Sequence, residues 1–214
     1  MKFAIASEGV TDQITIENIL CGFFEDENLD EDIIYLQPPF DKTKLKQASD
    51  DGGWTNLVRF LKMTRFHEDV LNNEYIIIQI DTDVSPRDDF NVKHEDENGN
   101  LLSTNDLINK VIDKLINDIE QGKKDFYKEN AHKIIFCICV HSLECWLLAY
   151  HCEIIEVELC LDELSKCLRK KVRKKYKIYN ELSEPFLEKN NLLITANKDK
   201  SLNIFLNFIA EKTL

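Results

Sequence analysis

The chain has 214 residues, of which 43% are apolar and 31% charged, and its net charge is −12. This size suits one sizeable α/β domain with a small helical part, and the composition excludes a disordered or membrane-embedded chain. The acidic balance excludes a protein that coats nucleic acid without specificity, and no run approaches the roughly eighteen apolar residues of a membrane helix.

Residues 2–7 (KFAIAS) read as a first strand that ends in Glu8-Gly9-Val10-Thr11-Asp12. Ile14, Ile16, Ile19, Leu20 and Phe23 then follow at helical spacing, with Thr11 or Asp12 as the N-cap. Glu8 thus stands at a strand's carboxyl end beside a helix start, as a solvated loop residue or as a site residue. Residues 33–36 (IIYL) form a short strand stopped by Pro38 and Pro39. The polar stretch 41–51 reads as a loop, and Gly52-Gly53-Trp54 opens a helix carrying Leu57, Val58, Leu61, Met63 and Phe66. The two glycines fit a plain turn better than a phosphate-binding helix start.

Residues 75–84 (YIIIQIDTDV) are a β-branched run ending in two carboxylates. The run fits a strand buried on both faces. Asp81 and Asp83 either close it with a polar loop or form a divalent-cation site at the strand's carboxyl end. The polar segment 85–104 reads as a mobile loop or an excursion, in which Asp88 and Asp89 are auxiliary ligands or solvated acids. A helix with a broad apolar stripe spans 104–120, stopped by Gly122. Residues 133–140 (KIIFCICV) form another buried strand, which leads to Glu144 as a helix-start residue or a metal ligand. A helix over 159–176, an extended piece over 192–195 and a final helix over 201–209 capped by Ser201 complete the chain.

The alternation of strands and helices predicts an α/β fold over residues 1–150, with a mainly parallel central sheet and helices on both faces. Residues 151–214 form a helical extension packed on that core. Strands running in one direction bring Glu8, Asp81, Asp83 and Glu144 to one sheet edge, where a hard cation such as Mg²⁺ or Mn²⁺ is the better reading.

The seven cysteines, an odd number without a recognisable export signal, read as reduced thiols of a cytoplasmic protein. His141, Cys145, His151 and Cys152 form a weak zinc pattern, and buried small hydrophobes account better for the cysteines. Residues 166–177 (KCLRKKVRKKYK) hold eight of the 27 basic residues and no acidic one, leaving 19 basic residues against 39 acidic elsewhere. That asymmetry predicts an anion-binding strip on an acidic body.

A strand ending in Glu-Gly, a helix and a strand ending in Asp-x-Asp form a recognisable order. Here these are Ser7-Glu8-Gly9-Val10-Thr11-Asp12 and Ile80-Asp81-Thr82-Asp83, and the order resembles the Toprim fold of topoisomerases, primases and OLD-family nucleases. The Glu-Gly-x-Thr-Asp opening and Glu144-Cys145-Trp146-Leu147-Leu148 are similar to RloB-like Toprim proteins of phage-defence operons. The resemblance covers roughly residues 1–150. It implies an Mg²⁺- or Mn²⁺-dependent nuclease in which Glu8, Asp81 and Asp83 hold metal and Glu144 assists catalysis. His141 reads as structural before it reads as a phosphate or proton handler. Arg169, Lys170, Lys171, Arg173, Lys174 and Lys175 would hold the phosphates of DNA or RNA.

The segment 85–104 is longer and more acidic than a minimal Toprim domain needs. No GxxxxGK[ST] motif is present, so an energy-using ATPase subunit would be a separate partner, and a second copy of the chain is another admissible one. A non-catalytic regulatory or adaptor subunit is the alternative function. Nucleotidyl transfer is a third reading, disfavoured by the lack of zinc-ribbon cysteine pairs.

Overall fold

A computed structural model describes residues 1–40, 52–155 and 157–213. Four strands, β1 (Phe3–Ala6), β2 (Ile33–Gln37), β3 (Tyr75–Asp81) and β4 (Ile134–Cys139), form one parallel sheet in the order β2-β1-β3-β4. The expected α/β architecture is the one observed. All of β1 and β4 is buried, which is why these segments carry continuous apolar runs.

Helix α1 (Val10–Phe24) connects β1 to β2, and α2 (Trp54–Leu61) and α3 (Thr64–Asn72) lead from β2 to β3. Helices α4 (Thr104–Gly122) and α5 (Phe126–Asn130) lead on to β4. Parallel crossovers are right-handed, so the step from β1 out to β2 and the opposite steps to β3 and β4 place their helices on opposite faces. The core divides accordingly. Phe3, Ile5 and Ile77 pack with Ile16, Ile19 and Leu20 of α1 on one face. Ala4, Ile76 and Ile78 pack with Leu57, Phe66, Val111 and Leu115 on the other. Winding therefore reverses between β1 and β3, and the crevice beyond their carboxyl ends is where open sheets bind ligands.

The remaining helices are α6 (Glu144–His151), α7 (Cys160–Cys167), α8 (Tyr176–Ser183), α9 (Lys189–Lys198) and α10 (Lys200–Thr213). Tyr179, Leu182, Phe186, Leu192 and Phe205 join the same apolar cluster as Phe3 and Ile19, so the C-terminal part shares the core. Helix α1 is consequently buried all round from Thr11 to Gly22. Its polar far side is matched by α8, where the Asn18 amide donates to Ser183 Oγ at 2.7 Å. A Cβ on Gly22 would lie 1.9 Å from the Phe186 carbonyl oxygen, so α1 meets the segment 184–187 backbone to backbone.

Several local expectations are corrected. Gly9 is the N-cap of α1, with Thr11 and Asp12 inside its first turn. The helix opened by Trp54 stops after Leu61 and resumes at Thr64, and Met63 at the break is exposed. Gly53 donates its N–H to the Glu8 carbonyl at 2.6 Å, which spends it within the chain. The basic segment 168–175 is not helical, because α7 ends at Cys167. The stretch 192–195 lies inside α9, and Asp199 caps α10 by accepting from the N–H groups of Ser201 and Leu202. The loop expected over 41–51 lies outside the described residues.

The cysteines are a larger correction. Cys145 is bonded to Cys160 and Cys152 to Cys167, while Cys21, Cys137 and Cys139 are free and buried. Cys145 and Cys152 stand seven residues apart on α6 and at its C-cap, and Cys160 and Cys167 seven apart on α7, so the two helices present matching rows of sulfur as they pack side by side. Disulfides take Cys145 and Cys152 out of the zinc pattern. No described helix is long and apolar enough to cross a membrane.

Candidate metal centre

The site begins with backbone geometry at the crevice between β1 and β3. Just past β1, the Glu8 N–H donates to Gln79 Oε1 at 3.2 Å. The Glu8 carboxylate then reaches β3, where its Oε1 accepts from the Asp81 N–H at 2.8 Å. Asp81 Oδ1 in turn accepts from Gln79 Nε2 at 2.9 Å and from the Leu143 N–H at 3.1 Å. One carboxylate pair, Asp81 buried and Glu8 half-buried, thereby joins β1, β3 and the turn before α6.

Asp12 enters from the first turn of α1 and is buried. Asp83 lies in the 3-10 turn Thr82–Val84 and is exposed. That turn is fixed to the β4–α6 connection, since the Asp83 N–H donates to the His141 carbonyl at 3.0 Å and the His141 N–H donates to Thr82 Oγ1 at 2.8 Å. His141 holds this geometry with a left-handed backbone, φ 61°, a conformation uncommon for a non-glycine residue. The segment 85–103 is anchored beside it by buried Phe90 and Val92 and by the His94 ring, whose Nε2 lies 2.9 Å from the Thr82 carbonyl. Between this segment and the starts of α6 and α10 lies a cleft of about 460 Å³, lined in part by His94, Leu102, His141 and Val157.

Glu144 is the first residue of α6 and almost fully buried. Its Oε1 accepts from the Tyr179 hydroxyl, and the Lys174 Nζ lies 3.1 Å from the same oxygen. Both partners come from the C-terminal part, so Glu144 is the post to which that part is tied at the crevice. Lys174 was expected to hold nucleic-acid phosphate with its neighbours; its ammonium instead points into the carboxylates. Arg169, Lys170, Lys171, Arg173 and Lys175 are exposed.

Charge crowding marks the cluster. Burial pushes Glu8 up to about 8, assisted by the Asp12 and Asp83 carboxylates and opposed by the Asp81 N–H and Lys174. Burial and Glu144 push Asp12 up to about 7, against the pull of Lys174. Asp81 is raised well above the carboxylate range by burial and then by Glu8, Asp12 and Glu144. Asp83, exposed at its surface but partly desolvated by its surroundings, is raised by that desolvation and by Glu144 against the pull of Lys174. Burial would raise Glu144 too, but Lys174 and the Tyr179 hydroxyl outweigh it and hold Glu144 low. Burial disfavours the Lys174 charge, and Glu144, Asp12 and Asp81 overcome this and hold the ammonium above the lysine range. Removing carboxylates from water favours protonation unless a cation replaces the solvent.

Comparison of the chain with known protein families, with characterised proteins and with solved structures gives no match.

By chemistry the donor set suits a hard divalent cation, since it offers carboxylate oxygens and neither thiolate nor imidazole. Among the described residues, no three His, Cys, Asp or Glu side chains are grouped closely enough to hold an ion as they stand. Asp81 Oδ1 is taken by Gln79 and Leu143 and Glu144 Oε1 by Tyr179 and Lys174, so an ion would use the other oxygen of each carboxylate or displace these partners. Glu8, Asp81, Asp83 and Glu144 do stand around one crevice; Asp88 and Asp89 lie exposed on the following segment.

Sequence reading passed over three contributors. Asp12 was taken for a cap. Gln79 was hidden among isoleucines, although a polar side chain inside a doubly buried strand needs partners and so marks a special position. Tyr179 lies 35 residues from Glu144, and no local pattern connects them.

Proposed function

We propose that the chain is a metal-dependent nuclease of Toprim type, hydrolysing phosphodiester bonds of DNA or RNA as an effector in anti-phage defence. The observation that supports this most is the convergence of Glu8, Asp12, Asp81, Asp83 and Glu144 at the switch point of a parallel sheet, with Lys174 drawn in among them. Such crowding of acids has no stabilising purpose of its own, because each charge is desolvated and repelled by the others.

Glu8, Asp81 and Asp83 are the residues that would hold Mg²⁺ or Mn²⁺. A bound ion would neutralise charge on a scissile phosphate and acidify a bound water. If Glu8 does not complete the metal shell, its carboxyl, which burial pushes up to about 8, is suited to exchange a proton near neutral pH. Lys174 offers a fixed positive charge beside the same carboxylates, and the exposed basic residues of 168–175 supply salt-dependent affinity for a nucleic-acid backbone. Gln79 and the Leu143 N–H fix Asp81 in place.

The test is a panel of single-stranded and duplex DNA and structured RNA, incubated with Mg²⁺ or Mn²⁺. Wild type should cleave at least one class, chelation should stop it, and Asp81→Ala and Glu8→Ala should lower the rate by at least a hundredfold. Equal cleavage by the variants assigns the activity elsewhere. No cleavage of any substrate, together with recovery of an ATPase in a pull-down, replaces this reading with that of an adaptor subunit.

A further inference from the structure

The two disulfides Cys145–Cys160 and Cys152–Cys167 both join α6 to α7, each across 15 residues of chain. They differ in access. Cys145 and Cys160 are buried, whereas Cys167 is exposed and Cys152 half-buried. The outer bridge sits at the point where α7 ends and the basic segment begins. Beyond it Val172 is buried and its N–H donates to Ser165 Oγ at 3.1 Å, and Lys174 reaches Glu144. The segment is thus suspended between Cys167 and the first residue of α8, Tyr176, with its one long side chain into the carboxylates held at mid-span.

From this arrangement we infer that Cys152–Cys167 is a thiol–disulfide exchange site for a dithiol reductant, and that opening it loosens the basic segment and Lys174 from the carboxylate crevice. The inference rests on reading that crevice as the functional centre, and it adds a regulator of that site. One thiolate of the dithiol attacks the sulfur of Cys167, the exposed residue of the pair; the Cys152–Cys167 bond breaks, and its electron pair leaves on Cys152, which takes a proton. The second thiol of the reductant then displaces Cys167, which leaves as a thiol, and the reductant departs as its own disulfide. Two electrons and two protons pass to the protein. The buried bridge next to Glu144 stays closed, so α7 remains docked on α6 while the segment beyond it is released.

The experiment uses the full chain, air-oxidised and after mild dithiothreitol, alongside Cys152→Ala and Cys167→Ala. Alkylation and mass spectrometry should find Cys152 and Cys167 protected before reduction and labelled after it, with Cys145 and Cys160 protected throughout. Amide hydrogen exchange over 168–175 should be at least tenfold faster in the reduced protein and in both variants, with the amides of β3 unchanged. Labelling of Cys152 or Cys167 before reduction overturns the inference. So does equal exchange over 168–175 in the two states, or an equal acceleration in β3, which would make the bridge a staple of the whole fold. Neither readout involves cleavage. A protein that cleaves nothing yet shows the exchange difference loses the nuclease proposal and keeps the switch; one that cleaves without the difference does the reverse.

Discussion

The Nζ of Lys174 lies 3.1 Å from Oε1 of Glu144, joining the most basic segment of the chain to its most acidic crevice. The Lys174 side chain is 53% exposed and that of Glu144 1%, so the lysine approaches from solvent towards a buried acid. This cation offsets the repulsion among the surrounding carboxylates. Lys174→Met should therefore lower the stability of the metal-free protein by about 1–2 kcal/mol, less than for a fully buried pair because the lysine is half solvated. It should also raise Mg²⁺ affinity, since the ion no longer competes with an ammonium for the same acids. Urea unfolding and calorimetric Mg²⁺ titration check both. An unchanged Mg²⁺ affinity would separate Lys174 from the cation site.

The raised carboxylates give a signed pH dependence. Glu8 moves from an ordinary 4.5 to about 8, and Asp12 from 3.8 to about 7. Asp81 and Asp83 shift in the same direction. Through that window the folded protein holds protons that the unfolded chain has lost, so stability falls as pH rises. The contribution from Glu8 and Asp12 is complete below about pH 4 and gone above about pH 8. Metal-free protein should melt at a lower temperature at pH 8 than at pH 5.5, and Mg²⁺ should narrow the gap by taking the place of the protons. Melts across this range with chelator and with Mg²⁺ test it; metal-free stability that climbs with pH contradicts the assignment.

Gln79 holds two ends of the site at once, accepting from the Glu8 N–H and donating to Asp81 Oδ1. Gln79→Leu fits a buried strand position yet leaves a buried amide and a carboxylate short of partners. A loss of about 1–3 kcal/mol follows from the unsatisfied groups. A fall in Mg²⁺ affinity of about 10- to 100-fold follows from the loosened carboxylate. Calorimetric titration reads the second effect separately from the first. Loss of stability with full Mg²⁺ affinity would make Gln79 a packing residue only.

The sheet was legible because strands buried on both faces leave an unmistakable trace: the isoleucines before Asp81 and the IIFCIC run of β4 have no other economical use. Glu8, Asp81, Asp83 and Glu144 were legible for the related reason that acids following such runs must stand at one edge. What escaped depends on contacts distant in sequence. The Lys174–Glu144 pair spans 30 residues, and the basic segment reads as helical until its role as a tether is seen. The cysteines read as reduced thiols because their pairing, Cys145 with Cys160 and Cys152 with Cys167, needs α6 and α7 side by side.

Gly22 tests whether the C-terminal helices belong to the same folding unit as the sheet. It lies in the last turns of α1, where a Cβ would come within 1.9 Å of the Phe186 carbonyl oxygen and 2.9 Å of the Leu187 carbonyl oxygen. These are backbone atoms, so no side chain can swing aside to make room. In an exposed helix, Gly→Ala stabilises by up to about 1 kcal/mol; here the sign should invert, because α1 must part from the segment 184–187. Gly22→Ala should cost about 1–3 kcal/mol, the range for forcing an extra methyl into a closed contact. Hydrogen exchange should quicken in both α1 and α8, which share the Asn18–Ser183 bond. If only α8 and the helices after it loosen while α1 keeps its protection, residues 176–213 fold as a separate layer. Coincident loosening makes them part of the wall that buries Glu144.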